Sequence, residues 1–449
     1  MRNIKTKKAL NLRTALLTVA NLLLISYATA QDTINNDILN KIKENPCFSA
    51  ANHLAYPDPS DAQMTPAPEG YAPFYLSHYG RHGSRYLIDR KDYEIPINTL
   101  KTADSLNLLT PLGKDVLHKL LIIEAEAHDR YGELSPLGAL QHQQIAKRMA
   151  QRFPQIFSDK ASVDAKSTIV IRCILSMQNC LTTLAAIFPD LTITSDASQH
   201  DMIFMNLTDK KLFEKRNNPN TAESIENLRK SYLNYDEFTA KLIKHDYSQN
   251  TLDNLNQRDF YNRLFKVAST IQNTENRNKL SLYELYSPLD LYINWKANNM
   301  SWYARYAAYP NIGATQPFSQ RNLLRQIILD ADSIINIGAH GASLRFGHET
   351  MVLPLSCLLE LDSCGIQTNQ LISLEDNNWI CSNIFPMGAN IQIIFYKSSN
   401  PDKPILIKAL LNEKETTLPL QPVEGPYYKY SDFRNFFLNK LNQYENLNN

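Results

Sequence analysis

Ser77-His78-Tyr79-Gly80-Arg81-His82-Gly83-Ser84-Arg85 sets two arginines around one histidine, with a glycine on each side of the Arg-His pair. The apolar stretch before it, Ala72 to Leu76, reads as a short strand, which puts the motif on a loop at a strand's end. Such a loop has a plain chemical use. Two guanidinium forks can hold a phosphate while an imidazole nitrogen attacks its phosphorus. The glycines let the backbone turn tightly and approach an anion closely. Arginines and histidines also sit together on solvated loops, so the stretch does not decide the matter by itself.

A second stretch adds to it. Arg345-Phe346-Gly347-His348-Glu349-Thr350 follows a strand-like run and opens an apolar helix. An attacking histidine, a second histidine and an adjacent carboxyl group make a phosphoryl-transfer set. Together the two motifs resemble the histidine acid phosphatase branch (branch 2) of the histidine phosphatase superfamily, and most of all bacterial relatives of multiple inositol polyphosphate phosphatase. The resemblance continues through Gly132-Glu133-Leu134-Ser135-Pro136-Leu137-Gly138, Gln141-His142 and Arg172-Cys173-Ile174-Leu175-Ser176-Met177. Late in the chain it includes Pro386-Met387-Gly388-Ala389-Asn390 and Leu411-Asn412-Glu413. It is weakest between about Asp196 and Leu323.

The resemblance implies His82 as the nucleophile, forming a phosphohistidine. Arg81, Arg85 and Arg172 would bind the phosphate oxygens, with His348 as a further donor. Three nearby cations would also hold His82 unprotonated, which keeps its lone pair available. Glu349 is the expected proton donor to the leaving oxygen, then the base that activates water. Here the chain departs from the family's two common forms, His-Asp and His-Ala-Glu, because it carries His348-Glu349-Thr350. Glutamate is one methylene longer than aspartate and fills that position with a small shift. Leu87 stands where many relatives have proline and Lys166 where many have arginine; neither is expected to touch the phosphate. The resemblance calls for no cofactor. The residues offer no Cys-x-x-Cys, and His78 and His82, four apart, are separated by glycine, so no metal site is expected.

The supporting residues have plainer readings. Ser84 reads as a cap or loop residue, His142 as helix packing near the pocket, and His78 as structural. Arg345 either contacts substrate or pairs with a carboxylate. Trp302, Tyr303 and Tyr306 read as core of a helical cap, and Lys210, Lys211 and Lys215 as a solvated helix face.

The first thirty residues read as an export signal. Arg2, Lys5, Lys7, Lys8 and Arg13 precede an apolar run from Ala15 to Tyr27, and Ala28-Thr29-Ala30 is a small-x-small cleavage signal. The apolar run is too short and interrupted to span a membrane comfortably. The expected location is periplasmic or secreted, with no membrane association once the signal is gone. The whole chain carries 46 Lys and Arg against 45 Asp and Glu. Without the five basic residues of the leader the balance is −4, which argues against nucleic acid as a partner. An anionic small molecule would depend on a local basic pocket. Of six cysteines, Cys173, Cys180 and Cys357 read as buried thiols; Cys364 and Cys381, flanking a polar loop, are the best disulfide candidate.

The expected fold class is α/β, a mixed central sheet flanked by helices, with a mostly helical cap. Helices are expected over Asp92–Leu106, Pro111–His128 and Pro136–Phe153, with Thr110 and Ser135 as N-caps. Strands are expected at Ser167–Ile171, Leu191–Thr194, Ser333–Gly338, Ala342–Gly347, Ile391–Lys397 and Pro404–Leu411, with a helix from Arg172 to Phe188 and another over Thr350–Leu361. Residues 31–195 and 322–449 would form the α/β domain and 196–321 the cap. The Arg-His loop, Arg172 and His348-Glu349 would then converge where open α/β sheets bind ligands. The reading is an exported phosphomonoesterase taking a small-molecule substrate, inositol polyphosphates such as phytate by resemblance. A broad acid phosphatase on sugar or nucleotide phosphates and a noncatalytic phosphate-binding relative are the alternatives.

Overall fold

Strand β1, Tyr71–Arg81, is the axis of the molecule. In the computed structural model, which describes residues 34–59, 61–244 and 255–448, it is buried from Phe74 to its end. It therefore runs five residues beyond the expected Ala72–Leu76. A central strand usually reads as a continuous apolar run. This one carries Ser77, His78 and Arg81 instead, all buried, because its second half supplies the site. The expected leader, residues 1–30, lies outside the described residues.

The other strands are β2 (Ser162–Ser167), β3 (Thr192–Asp196), β4 (Gly341–Gly347), β5 (Asn390–Ser398), β6 (Leu406–Leu411), β7 (Lys414–Thr416) and β8 (Tyr428–Lys429). They form one mixed sheet in the order β3-β2-β4-β1-β5-β6-β7, with β8 paired to β6. β1 pairs with β4 in parallel, with Arg81 opposite Gly347, and with β5 antiparallel, with Gly80 opposite Asn390. β2 pairs with β4 in parallel, so β1, β4 and β2 end side by side. On the C-terminal side β5 pairs antiparallel with β6.

One face of the sheet packs Leu76, Val163, Leu344 and Ile394 against the helices Pro136–Arg152 and Ile171–Ile187. The other packs Tyr75, Tyr79, Ile393 and Phe395 against the helices Arg321–Ile337 and Glu349–Leu358. Among the described residues, everything between β3 and β4 that has regular structure is helical. Thr110 and Ser135 cap their helices as expected, each accepting a backbone N–H three residues on.

Three expectations fail. Ser167–Ile171 is not a strand: β2 ends at Ser167, and Ile171 begins a helix, so Arg172 lies in a helix's first turn. The true strand alternates, burying Val163, Ala165 and Ser167, but those residues are too small or polar to stand out. Ser333–Gly338 is the last turn of the Arg321–Ile337 helix, closed by Gly338 in the left-handed region at φ 66°. Its β-branched isoleucines imitate a strand, while the burial of Leu324, Ile327, Ile328 and Ala331 follows helical spacing. Finally, Cys364 and Cys381 are not joined; both are buried free thiols, as are Cys173, Cys180 and Cys357. No described helix is long and apolar enough to cross a membrane.

Candidate active site

The parallel pairing of β1 and β4 brings the two motifs together. The His82 N–H donates to the Gly347 carbonyl at 2.9 Å, and the Gly388 N–H donates to the His82 carbonyl at 3.0 Å. The loop that follows is fixed by Ser84. Its N–H donates to Gln141 Oε1 at 2.8 Å, its hydroxyl donates to Asn273 Oδ1 at 2.7 Å, and its carbonyl accepts from the Ser135 N–H at 2.9 Å. Ser84 is thus a buried loop residue tying the Arg-His loop to two helical regions.

His82 is 1% exposed. Its Nδ1 lies 2.9 Å from the Gly83 carbonyl, which can only accept, so Nδ1 carries the proton and Nε2 keeps its lone pair. That Nε2 is buried and has no hydrogen-bond partner. Burial, then the charges of Arg81, Arg85 and Arg172, hold the imidazole pKa well below its usual 6.5, against the opposing pull of Glu349.

Arg81 is fully buried. Its Nη1 donates to the Asn52 and Phe385 carbonyls at 2.6 and 2.9 Å, and its Nε meets Glu349 Oε2 at 3.1 Å. Arg85 donates Nη1 to the Tyr86 carbonyl, and burial first, then its cationic neighbours, bring its pKa down to about 10. Arg172 donates weakly to the Gly132 carbonyl at 3.4 Å. Each keeps a buried nitrogen without a protein hydrogen-bond partner: Nη2 of Arg81 and Nε of both Arg85 and Arg172. Buried donors of this kind call for an acceptor. Two helix starts reinforce them. The helices Ile171–Ile187 and Glu349–Leu358 begin here without a side-chain cap, and helix N-termini favour anions.

His348 packs edge-on against His82, with ring centroids 5.7 Å apart, and its Nε2 lies 3.2 Å from Thr168 Oγ1. Burial, then Arg172 and the other guanidiniums, lower its pKa to about 4, although Glu349 opposes them. Glu349, at the first helical position, reaches 3.7 Å from His82 Nε2. Burial would raise its pKa, but Arg81, His82 and Arg85 outweigh that and hold the carboxylate well below 4.5. The ligating atoms of His82, His348 and Glu349 lie within 4.8 Å of one another, a spacing that could chelate a cation. Three guanidiniums share the space, however, and the field favours an anion.

All six residues expected at the site are brought together: His82, Arg81, Arg85, Arg172, His348 and Glu349. Arg345 is not among them; it pairs with Asp330 and donates to Ser77 Oγ within the sheet. His78 and His142 flank Phe346 in the core, at 5.2 and 5.6 Å between centroids. Trp302 packs on Tyr306 and Phe385, Tyr303 is buried, and Lys210, Lys211 and Lys215 are exposed. Sequence reasoning missed Asn52, Thr168 and Asn273. These are single polar residues without a motif, and only the burial of Asn273 beside Ser84 marks it.

The fold and the site together define an α/β phosphatase that uses a histidine. Residues 80–412 match the model of the histidine phosphatase superfamily (branch 2). The chain belongs to that family and is a phosphoric monoester hydrolase. Its fold is similar to that of Bifidobacterium longum multiple inositol polyphosphate phosphatase crystallised with inositol hexasulfate, at TM-score 0.71 and 16% identity, covering 87% of this chain and 97% of that one. It is also similar to the phytase from D. castellii, at TM-score 0.55 and 12% identity over 88% and 85% of the two chains. Hafnia alvei phytase with myo-inositol hexakis sulphate gives TM-score 0.50 and 12% identity over 83% and 98%. At these identities the likeness is one of fold. No curated protein sequence matches the chain.

Proposed function

We propose that the protein hydrolyses inositol polyphosphates, phytate included, through a phosphohistidine on His82. The observation that carries this reading is the unpaired, deprotonated His82 Nε2 ringed by partnerless nitrogens of Arg81, Arg85 and Arg172. His82 Nε2 attacks phosphorus and the bond to the leaving oxygen breaks. Glu349 gives that oxygen a proton; its carboxylate then takes one from water, whose oxygen attacks phosphorus and frees His82. The guanidiniums bind the equatorial oxygens, where charge collects. His348 adds a neutral hydrogen bond.

In-line transfer puts donor and nucleophile on opposite sides of phosphorus, roughly 6 Å or more apart. Glu349 Oε2 lies 3.7 Å from His82 Nε2 and pairs with Arg81. The carboxylate thus occupies the seat of the phosphoryl group. An incoming phosphate takes Arg81, displaces the carboxylate toward the leaving oxygen, and raises its pKa by like charge, so that it arrives as an acid. The helices of residues 196–321 form a cap over the crevice in this reading. Residues 1–30, read as a signal, support export.

The test is phosphate release from inositol hexakisphosphate and from p-nitrophenyl phosphate at mildly acid pH, by the wild type and by His82→Ala. Turnover of both by the wild type, and of neither by the variant, is expected. A variant as active as the wild type would reject His82 as nucleophile. Phosphate binding by an inactive wild type would point to a binding protein.

A further inference from the structure

The N-terminal segment Pro46–His53 is a 3-10 turn whose backbone is held in an unusual shape. Ala51 sits at φ 53°, ψ −119°, a conformation that a non-glycine residue keeps only where its surroundings impose it. Contacts from the site impose it. The Asn52 carbonyl accepts from Arg81 Nη1 at 2.6 Å, the His53 carbonyl from Asn273 Nδ2 at 2.8 Å, and the Leu54 carbonyl from the Met387 N–H at 2.9 Å. Ala55 N–H donates to Gln272 Oε1 at 3.0 Å. Four consecutive residues are therefore clamped, one directly by a cradle arginine and one through the asparagine that holds Ser84.

We propose that His53 is a substrate-contacting specificity residue, whose ring donates a hydrogen bond to a second phosphate next to the one being cleaved. This rests on the polyphosphate reading above. His53 is partly exposed as a residue, and its Nδ1 lies 3.4 Å from Thr270 Oγ1. A threonine hydroxyl can donate to Nδ1, and Nε2 then carries the proton for a ligand. Asn273, which holds the His53 carbonyl, also receives the Ser84 hydroxyl next to Arg85, so His53 lies beside the cradle. Burial, then the charges of Arg85 and Arg81, hold its pKa at about 3 against Glu349. His53 is thus a neutral donor in the free protein, and an anion seated against it gains a second cationic partner if the ring protonates. Lys266, half exposed one turn before Thr270, also acts on the ring. It shares Asp92 with Arg263, which also pairs with Asp259.

The experiment compares inositol hexakisphosphate with p-nitrophenyl phosphate in wild type, His53→Ala and His53→Gln. His53→Ala should raise KM for the hexakisphosphate by about tenfold, the scale of one charge-assisted hydrogen bond. Both constants for p-nitrophenyl phosphate should stay unchanged, and His53→Gln, which keeps a donor, should recover part of the loss. An equal loss on both substrates would assign His53 to holding Arg81 and overturn the proposal, as would failure of both variants to fold. An unchanged KM for the hexakisphosphate would overturn it alone. A wild type that turns over only p-nitrophenyl phosphate would overturn the polyphosphate reading and the proposal with it.

Discussion

His82 is available because of a bond that takes no part in the chemistry. With Nδ1–H committed to the Gly83 carbonyl, the neutral ring has one tautomer, and its lowered pKa preserves that form to lower pH. Acid must therefore go further before His82, the proposed nucleophile, is lost to protonation. For p-nitrophenyl phosphate, which needs little help in leaving, the acid limb of kcat/KM should lie well below the ordinary histidine value of about 6.5. A limb near 6.5 would mean that the guanidiniums do not govern His82. Glu349 is ionised in the free protein, so its role as an acid depends on the phosphate that displaces it. Glu349→Gln should slow release from an inositol phosphate by about 10²–10⁴-fold and from p-nitrophenyl phosphate far less. Equal slowing would reject the proton-donor role. These residues were legible in sequence because each lies in a short motif whose chemistry is dense. Asn52, Thr168 and Asn273 were not, because a lone polar residue gains meaning only from what the fold sets beside it.

Among the elements, what the sequence concealed follows one cause: polarity inside a strand and β-branching inside a helix both invert the usual signals. β1 was cut short at Leu76 because Ser77, His78 and Arg81 look like a loop. The last turn of the Arg321–Ile337 helix looked like a strand because of Ile334, Ile335 and Ile337. Helices opened by a proline and an N-cap, such as Pro111–Ala127 and Pro136–Arg152, were read to within a residue of their ends. The second of these also sets the position of the Arg-His loop. A Cβ on Gly83 would lie 2.7 Å from the Gly138 Cα, and one on Gly138 would lie 2.8 Å from the Ser84 nitrogen, so loop and helix touch backbone to backbone. Gly138→Ala must push them apart. Overpacking of this kind costs about 1–3 kcal/mol, and a displaced nucleophile costs about 10²-fold in rate. The expected result is a modest fall in melting temperature with a disproportionate fall in kcat. Wild-type kcat in the variant would show that the close packing does not position His82.

At the scale of the whole molecule, the apolar cluster on one face of the sheet continues without a break into the helices between β3 and β4, joining Tyr75 and Phe395 to Phe260 and Trp295. Elsewhere the chain buries several histidines whose pKa burial depresses: His78 to about 3 and His142 to about 4, both against Phe346 on the other face of the sheet, and His348 to about 4 at the site. The linkage has one sign. Such a histidine is neutral when folded and protonates first in the unfolded chain, so its contribution is complete above about pH 6.5 and is lost as pH falls toward the folded value. Stability should decline from pH 7 to pH 5. Inorganic phosphate, which binds the folded cradle, should offset part of the decline. His142, packed edge-on against Phe346, isolates one such contribution. Replacing it with phenylalanine removes a group that disfavours the folded state by about 2 kcal/mol at pH 5 relative to pH 7. Urea unfolding at the two pH values should therefore show a smaller pH-dependent loss in His142→Phe than in the wild type, by about that amount. An identical loss in both would mean that His142 takes up its proton inside the fold as easily as outside it.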